Sequence, residues 1–584
     1  MFRDKPAIAL ALLPVCLWAC KGSDGADGLD SSIQDARPGI EDAGNDDASI
    51  NDAGINDAGN NDAGDADART DAGVEDTRVL RLNDLRAFPA AIGAGAFARI
   101  DPSTATIYEV TNLNPSGEGS FRQAFEARGP RIIIVKVEGL VNDDSVYVQR
   151  GPEGGDFAVW GQMAPGLGIT IDHPRMSIDR AGNYYYRFVT LQERNAIGCT
   201  VNVDCFDALN YFRVSPNSSV MLDHMSLRYS PDQIWTLNVD KDLEGIEQIR
   251  STATYVLFAE ADPDHSTGSI MNMWTLDDLG TDIGEHTFAR NMFYDTSHRF
   301  QNLNTNGDFE NYNNYVVNHR ARASRYNATP NVDFHRNYYA GGNVSDRMSG
   351  PEFRANQLNH GRLWGPNEPS IYSAFNFFRN VNEDVSDGMQ DDLYVWFDTE
   401  SEVYYGLPVV DNGPVPVEFF VSDQQFSFNP PMDGYWDTLD VPSKIHASVG
   451  HNRGVNADGT PSYGYDDVDA DYIARSATDT TRSSYRETSE WNNSSFPGTP
   501  RYEDSDGDHM PDWFEDQFAF LDKSDPADML VTTNVAWDFS AAGEAHDYIV
   551  MNDAGYTNLE ICAAFYAGDF ETMIDGTNNL SIED

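Results

Sequence analysis

The sequence predicts an all-β protein built on a right-handed parallel β-helix solenoid, preceded by a disordered N-terminal tether and followed by a small C-terminal module. Three observations predict this. From about Val79 to Ser345, short β-rich runs alternate with Gly, Pro and Asn turns. Several runs follow one another at roughly 20 to 25 residues, the spacing of stacked solenoid coils. Few stretches carry the period of a long helix. A chain of 584 residues is too long for one ordinary domain, but a solenoid grows by adding coils rather than by enlarging one core. An antiparallel sandwich shares the strand spacing and stays open on this evidence.

Residues 1–20 place Arg3 and Lys5 ahead of an apolar stretch from Ala7 to Ala19. This is the layout of a secretory leader, too short to span a membrane as a mature helix. The segment ends Leu17-Trp-Ala-Cys20, which resembles a lipoprotein processing box. Cys20 is then the lipidated residue, and the protein is expected at a bacterial cell surface, anchored to the membrane. In residues 21–78 the triplet Asp-Ala-Gly recurs at 42, 52, 57, 62 and 71 without apolar periodicity. Like charges along such a stretch repel and extend it, so it reads as a tether. Its spacing offers no closed set of metal ligands.

The whole chain carries 94 acidic and 39 basic residues, a formal charge of −55. This excludes nucleic-acid binding through a general basic surface. It suits a surface bathed in divalent cations or salt, or simply a soluble acidic exterior. Cys199 and Cys205 lie close in sequence, and in an exported protein this predicts a disulfide closing a small loop rather than a metal pair. Cys562 is expected as an inert buried thiol. A monomer is expected.

Residues 79–500 form the predicted solenoid and its irregular extension. The strand-like runs include Arg131–Val137, Gly168–Ile171, Ser219–Asp223 and Asn314–Asn318. Asn311, Asn313, Asn314 and Asn318 fit turns, where side-chain amides can stack from coil to coil and satisfy backbone groups. The region 346–500 is less regular and aromatic, with Trp364, Tyr394, Trp396, Tyr404, Tyr405, Trp436 and Trp491. Such residues pack a core or cover the solenoid, and an exposed row could also stack on sugar rings.

Several segments in order carry a more specific signal. They are Ala87–Phe97, Ile107–Phe125, Gly161–Ile171, Asp207-Ala-Leu209, Val220-Met-Leu-Asp-His-Met-Ser-Leu227, Glu285–Phe293, His298-Arg-Phe300 and the Asn-rich coils near 311–318 and 331–342. Taken together this series resembles bacterial pectate lyases of polysaccharide lyase family 1, over about 260 residues. The resemblance implies calcium-assisted β-elimination on polygalacturonate or a related acidic polysaccharide. By position it assigns calcium carboxylates to Asp207 and Asp232, with Asp204 near enough to contribute, and the proton-abstracting role to Arg299. A guanidinium is ordinarily protonated, so that role needs calcium and neighbouring cations around it. A bidentate contact with the substrate carboxylate is the other role open to Arg299.

The chain departs from the family pattern. Phe300-Gln-Asn-Leu-Asn304 replaces Pro and a further Arg, the family lysine falls at Thr267, and carboxylate positions fall at Thr236 and Cys205. Arg320, Arg322 and Arg325 follow one coil later and are candidate substrate-binding residues, or else a solvated charge cluster. Two other readings follow. One is a surface protein that binds the polysaccharide without turnover. The other is a glycoside hydrolase with Asp223 and Asp232 as acid and base, although no hydrolase motif surrounds them.

Residues 501–584 are the predicted C-terminal module. Asp504-Ser-Asp-Gly-Asp-His-Met-Pro-Asp-Trp-Phe-Glu515 has the oxygen-ligand spacing of a calcium loop of EF-hand or thrombospondin-repeat type. Asp504, Asp506, Asp508, Asp512 and Glu515 are the candidate side-chain ligands, with the Met510 carbonyl available. Gly507 and His509 depart from the EF-hand order. The loop is read as a structural calcium site that ends the chain against the solenoid.

Overall fold

Each turn of the described chain lays down three short strands, one in each of three long sheets. In one rung these are Ser219–Asp223, Ser226–Ser230 and Gln233–Val239. We call the corresponding sheets A, B and C. In this computed structural model sheet A runs in chain order through ten parallel strands from Thr106–Val110 to Ser370–Ala374, and sheet B from Gly139–Asn142 to Asn376–Arg379, with a last antiparallel strand Gly388–Gln390. Sheet C has eight strands, from Tyr147–Arg150 to Glu352–Phe353. The fold is therefore a parallel β-helix, and the antiparallel sandwich is excluded. The structure describes residues 78–575 apart from 146, 151–153, 173–175, 195–210, 215–217, 231–232, 240–248, 262–266, 274–281, 297–298, 320–323, 327–329, 342–351, 354–368, 380–387, 391–402, 405–406, 409–418 and 479–487. The predicted leader, Cys20 and nearly all of the tether lie outside the described residues, as do Cys199 and Cys205.

Side-chain alternation explains why sheet A is apolar on both faces. Ile133 and Val135 enter the solenoid interior with Val159, Tyr186 and Leu222. Their neighbours Ile132 and Ile134 face outward into a second core with Trp160, Tyr185 and Met221. Residues 87–100 and the C-terminal segment cover that outer face. The Ala87–Phe97 stretch lies close against it. Gly95 donates its N–H to Thr252 Oγ1 at 2.7 Å, and a Cβ there would come within 2.3 Å of the Val220 carbonyl oxygen. Only glycine fits this approach.

The corner from sheet A to sheet B repeats. Phe188, His224, Tyr255, Arg290, Asn313, Arg336 and Phe375 all have φ between 48° and 58°. Such residues rarely adopt this left-handed conformation, and stacking holds it here. The Phe188 and His224 rings lie 4.7 Å apart, and those of His224 and Tyr255 4.4 Å. After the corner, the Asn314 side-chain oxygen accepts from the backbone and side-chain N–H groups of Asn291, both at 3.0 Å. Asn337 serves Asn314 in the same way, and Asn376 serves Asn337. This is the amide stacking expected of Asn314. Asn313 instead receives the Trp436 backbone N–H at 3.0 Å.

Residues 419–575 wrap around the solenoid, and buried arginines fasten them to it. Arg228 binds Asp466 and Asp469, and Arg290 binds Asp433 at 2.7 Å. Trp436 and Trp491 are buried in this packing, Trp491 stacking on Tyr229 at 4.9 Å; they form no exposed row for sugars. Trp364, Tyr394, Trp396 and Tyr405 fall outside the described residues, as does the Tyr404 side chain. The strand Tyr548–Met551 pairs in parallel with Arg78–Arg81, so the start of the described chain meets its C-terminal part. Cys562 is a buried free thiol, as expected. No described helix is long and apolar enough to cross a membrane.

Candidate functional site

The candidate lyase residues precede, in sequence, strands of sheet C. Tyr211–Val214 pairs with Gln233–Val239, which pairs with Thr267–Met273, which pairs with Asn302–Asn304, which pairs with Arg325–Tyr326. In sequence, Asp204 and Asp207 precede the first of these, Asp232 the second, Arg299 the fourth, and Arg320 and Arg322 the last. Neighbouring strands lie about 4.8 Å apart. The strands that follow Asp232 and Arg299 in sequence are thus two steps apart, about 10 Å along the solenoid. Asp204, Asp207, Asp232, Arg320 and Arg322 themselves lie outside the described residues, and Arg325 is described in its backbone only.

Arg299 is half-buried with φ 68°, and its carbonyl accepts from Ser269 N–H at 2.5 Å. This pins its turn to the rung below. Two departures from the family pattern, Phe300 and Gln301, point inward. Phe300 is buried against Phe293, with ring centroids 5.0 Å apart, and Gln301 accepts from Asn311 at 2.8 Å inside the solenoid. Thr236 and Thr267 are buried as well. Phe300 and Gln301 hold the interior together rather than offering charge.

Asp223 is unsuited to acid–base work. It is buried and accepts from Arg187 at 2.8 Å, from Thr254 at 2.9 Å, and shares a 3.0 Å contact with His224. Burial alone would raise its pKa, but His224 and Arg187 outweigh that and hold it at about 2. It is a fixed anion under the corner stack, which removes half of the hydrolase pair.

The C-terminal loop gathers a second group of carboxylates. Asp504, Asp506 and Asp508 each bring an oxygen within 4.8 Å of the others, as do Asp508, Glu515 and Asp528. Burial, then the neighbouring carboxylates, push Asp508 up to about 8 and Glu515 to about 9. Asp512 does not join them. Its oxygens accept from the Ser505 N–H and hydroxyl, both at 2.6 Å, so it braces the loop. Met510 is buried in the outer core, and its N–H donates to Asp508 at 2.7 Å. Asp528 was not legible in the loop motif, because it enters from a separate turn whose only sequence sign is the acidic run Asp522-Lys-Ser-Asp-Pro-Ala-Asp528.

The loop also touches the solenoid. Lys136 Nζ lies 3.5 Å from Asp504 and donates to the His509 carbonyl at 2.9 Å. Burial lowers its pKa to about 8 against the pull of Asp504. Glu109 on strand Thr106–Val110 binds His509 at 3.1 Å and Arg501 at 3.0 Å.

No family profile matches the sequence. Over 235 residues, 40% of this chain and 48% of the relative, it is 29% identical to a probable pectate lyase C of Aspergillus oryzae. It is 30% identical over the same shares to a probable pectate lyase C of Aspergillus fumigatus. The chain spans about half the length of these curated relatives. Among solved structures, the major cedar pollen allergen Jun a 1 aligns at 13% identity and TM-score 0.40, over 62% of this chain and 92% of that one. A pectate lyase C mutant in complex with pentagalacturonic acid aligns at 12% identity and TM-score 0.36, over 62% and 96%. The chain is thus a parallel β-helix protein that, over two fifths of its length, is similar in sequence to probable pectate lyases.

Proposed function

We propose that the protein is a polysaccharide lyase of pectate-lyase type that cleaves polygalacturonate, or a related polyuronate, by β-elimination beside the edge of sheet C. The observation that carries this reading is that the strands following Asp204 and Asp207, Asp232, and Arg299 in sequence lie within four successive rungs of one sheet. The sequence similarity to probable pectate lyases supports it.

In this reading Arg299 removes the proton on the carbon next to a uronate carboxylate. The electron pair forms a carbon–carbon double bond as the bond to the neighbouring glycosidic oxygen breaks, and water protonates the leaving oxygen. Asp207 and Asp232, with Asp204, are the residues that would hold calcium. Bound calcium would supply charge withdrawal from the substrate carboxylate and bridge an anionic protein to an anionic polymer. Arg320, Arg322 and Arg325 would bind carboxylates of flanking sugars. The leader, Cys20 and the acidic tether would present the domain at the cell surface, held off the membrane.

A second reading, a surface protein that binds the polymer without turnover, is favoured by one observation. The positions where the family places lysine and a carboxylate are buried threonines, Thr267 and Thr236. Ultraviolet absorbance of the unsaturated uronide product separates the two. A rise on polygalacturonate that needs calcium and disappears in Arg299→Ala supports the lyase. A folded protein that binds polyuronates without any rise establishes the binder.

A further inference from the structure

We propose that Asp504, Asp506, Asp508, Glu515 and Asp528 hold a divalent cation of the calcium class, and that the bound ion locks the C-terminal cap onto the first rungs of the solenoid. The site is independent of the lyase groove and of any turnover there.

Acidic side chains often cluster at surfaces without a ligand, but these do not all lie at the surface. Asp508 is 1% exposed and Glu515 2%. Among the described residues, Asp508 Oδ2 and both Glu515 oxygens receive no hydrogen bond. Asp528 Oδ1 and Asp506 Oδ2 are likewise buried and without a donor. Buried anions need a partner. The nearby cations serve only one end, since Lys136 and Arg501 each lie 3.5 Å from Asp504. What Asp508, Glu515 and Asp528 lack is positive charge at the point where their oxygens converge.

The donor set identifies the ion. All five side chains offer hard carboxylate oxygen, and the one histidine in the loop turns to Glu109. Zinc favours nitrogen and sulfur, and magnesium retains most of its water, whereas calcium accepts six to eight oxygens in adaptable geometry.

The position of Asp528 gives the ion a mechanical role. Its Oδ2 accepts from the Asp522 N–H at 2.9 Å, and its carbonyl accepts from Asn558 at 2.8 Å, at the start of the buried helix Asn558–Ala567. An ion between Asp508, Glu515 and Asp528 therefore ties the loop to the helical core of the cap. Through Lys136 and Glu109 the same loop is tied to strands of sheet A.

Calcium titration of chelator-treated full-length protein, followed by calorimetry and thermal unfolding, tests this. We expect calcium to raise the unfolding midpoint and magnesium to fail at the same concentration. Glu515→Gln and Asp528→Asn should each lower calcium affinity about tenfold or more, while an Asp207→Asn/Asp232→Asn double variant keeps the stabilisation and so separates this site from the groove. Should Glu515→Gln not fold, Asp506→Asn at the less buried end gives the same readout. Limited proteolysis of the chelated protein should cut first within 501–575. The proposal is overturned if wild-type protein shows no calcium-dependent shift, or if the cap variants respond as the wild type does.

Discussion

Arg187 and Asp569 stand 382 positions apart in the chain, yet they form a two-pronged ion pair, at 2.7 and 3.1 Å, with both side chains buried. The same guanidinium binds Asp223 at 2.8 Å, so one cation joins a solenoid rung to the last helix of the cap. Asp569→Ala leaves Arg187 with one carboxylate and a cavity. Breaking a buried pair of this kind costs about 3 kcal/mol, and urea unfolding should show that loss, together with faster proteolysis of residues after 540.

The asparagine ladder makes a second prediction. In Asn314→Ala the Asn291 N–H loses its acceptor, as the Phe288 carbonyl loses the Asn314 amide donor. Leaving buried backbone groups unpaired costs roughly 1–3 kcal/mol each. Asn314→Ala should therefore destabilise more than Asn331→Ala, whose amide makes a partly buried bond to Asp308. Equilibrium denaturation of the two variants checks the order.

Acid sensitivity should begin near the ordinary histidine range. Burial lowers His286, His319 and His335 to about 3 and His451 to about 4. Free in the unfolded chain, histidine titrates near about 6.5. Between those values the unfolded state binds more protons, so stability falls as pH drops from about 6.5 toward 4. His286→Gln should reduce that slope by about one proton, read from unfolding free energies across the window.

In the groove, Arg299→Ala should lower kcat on polygalacturonate by roughly 10²–10⁴-fold, the usual worth of a positioned proton acceptor. The Ser269 bond to residue 299 is made by the backbone and is kept in this variant. Arg299→Lys keeps the charge without the fork and should recover substrate binding more than turnover.

Much of the fold was legible because a solenoid repeats its instructions. The runs 131–137 and 219–223 read as strands from their apolar β-branched content, and Asn314 read as a stacking residue from its place at a turn. The outward-facing half of sheet A was not legible. Ile132 and Ile134 are covered by residues 87–100 and by the C-terminal segment hundreds of residues later, and no local pattern names these partners. The cap loop shows the same division. Asp504, Asp506, Asp508 and Glu515 follow from spacing within one loop. Asp512, at a ligand position of the loop, accepts instead from the Ser505 N–H and hydroxyl. Asp528 carries no such spacing because its approach to Asp508 and Glu515 is tertiary. At the candidate lyase positions, Thr236 and Thr267 could be seen as departures, but only the structure shows that they are buried.

The corner between sheets A and B bears on how such a chain can lengthen. Asn291, Asn314 and Asn337 follow one another at a constant separation of 23 residues. The residues before them, Arg290, Asn313 and Arg336, share one backbone conformation despite differing side chains. A tandem copy of residues 292–314 would bring its own corner and its own amide, receive bonds from the coil before and give them to the coil after. Duplication thus inserts a whole layer in a single event, and the wrap, which binds Asn313 through Trp436 and Asp333 through Gln425, is the part that must shift to match.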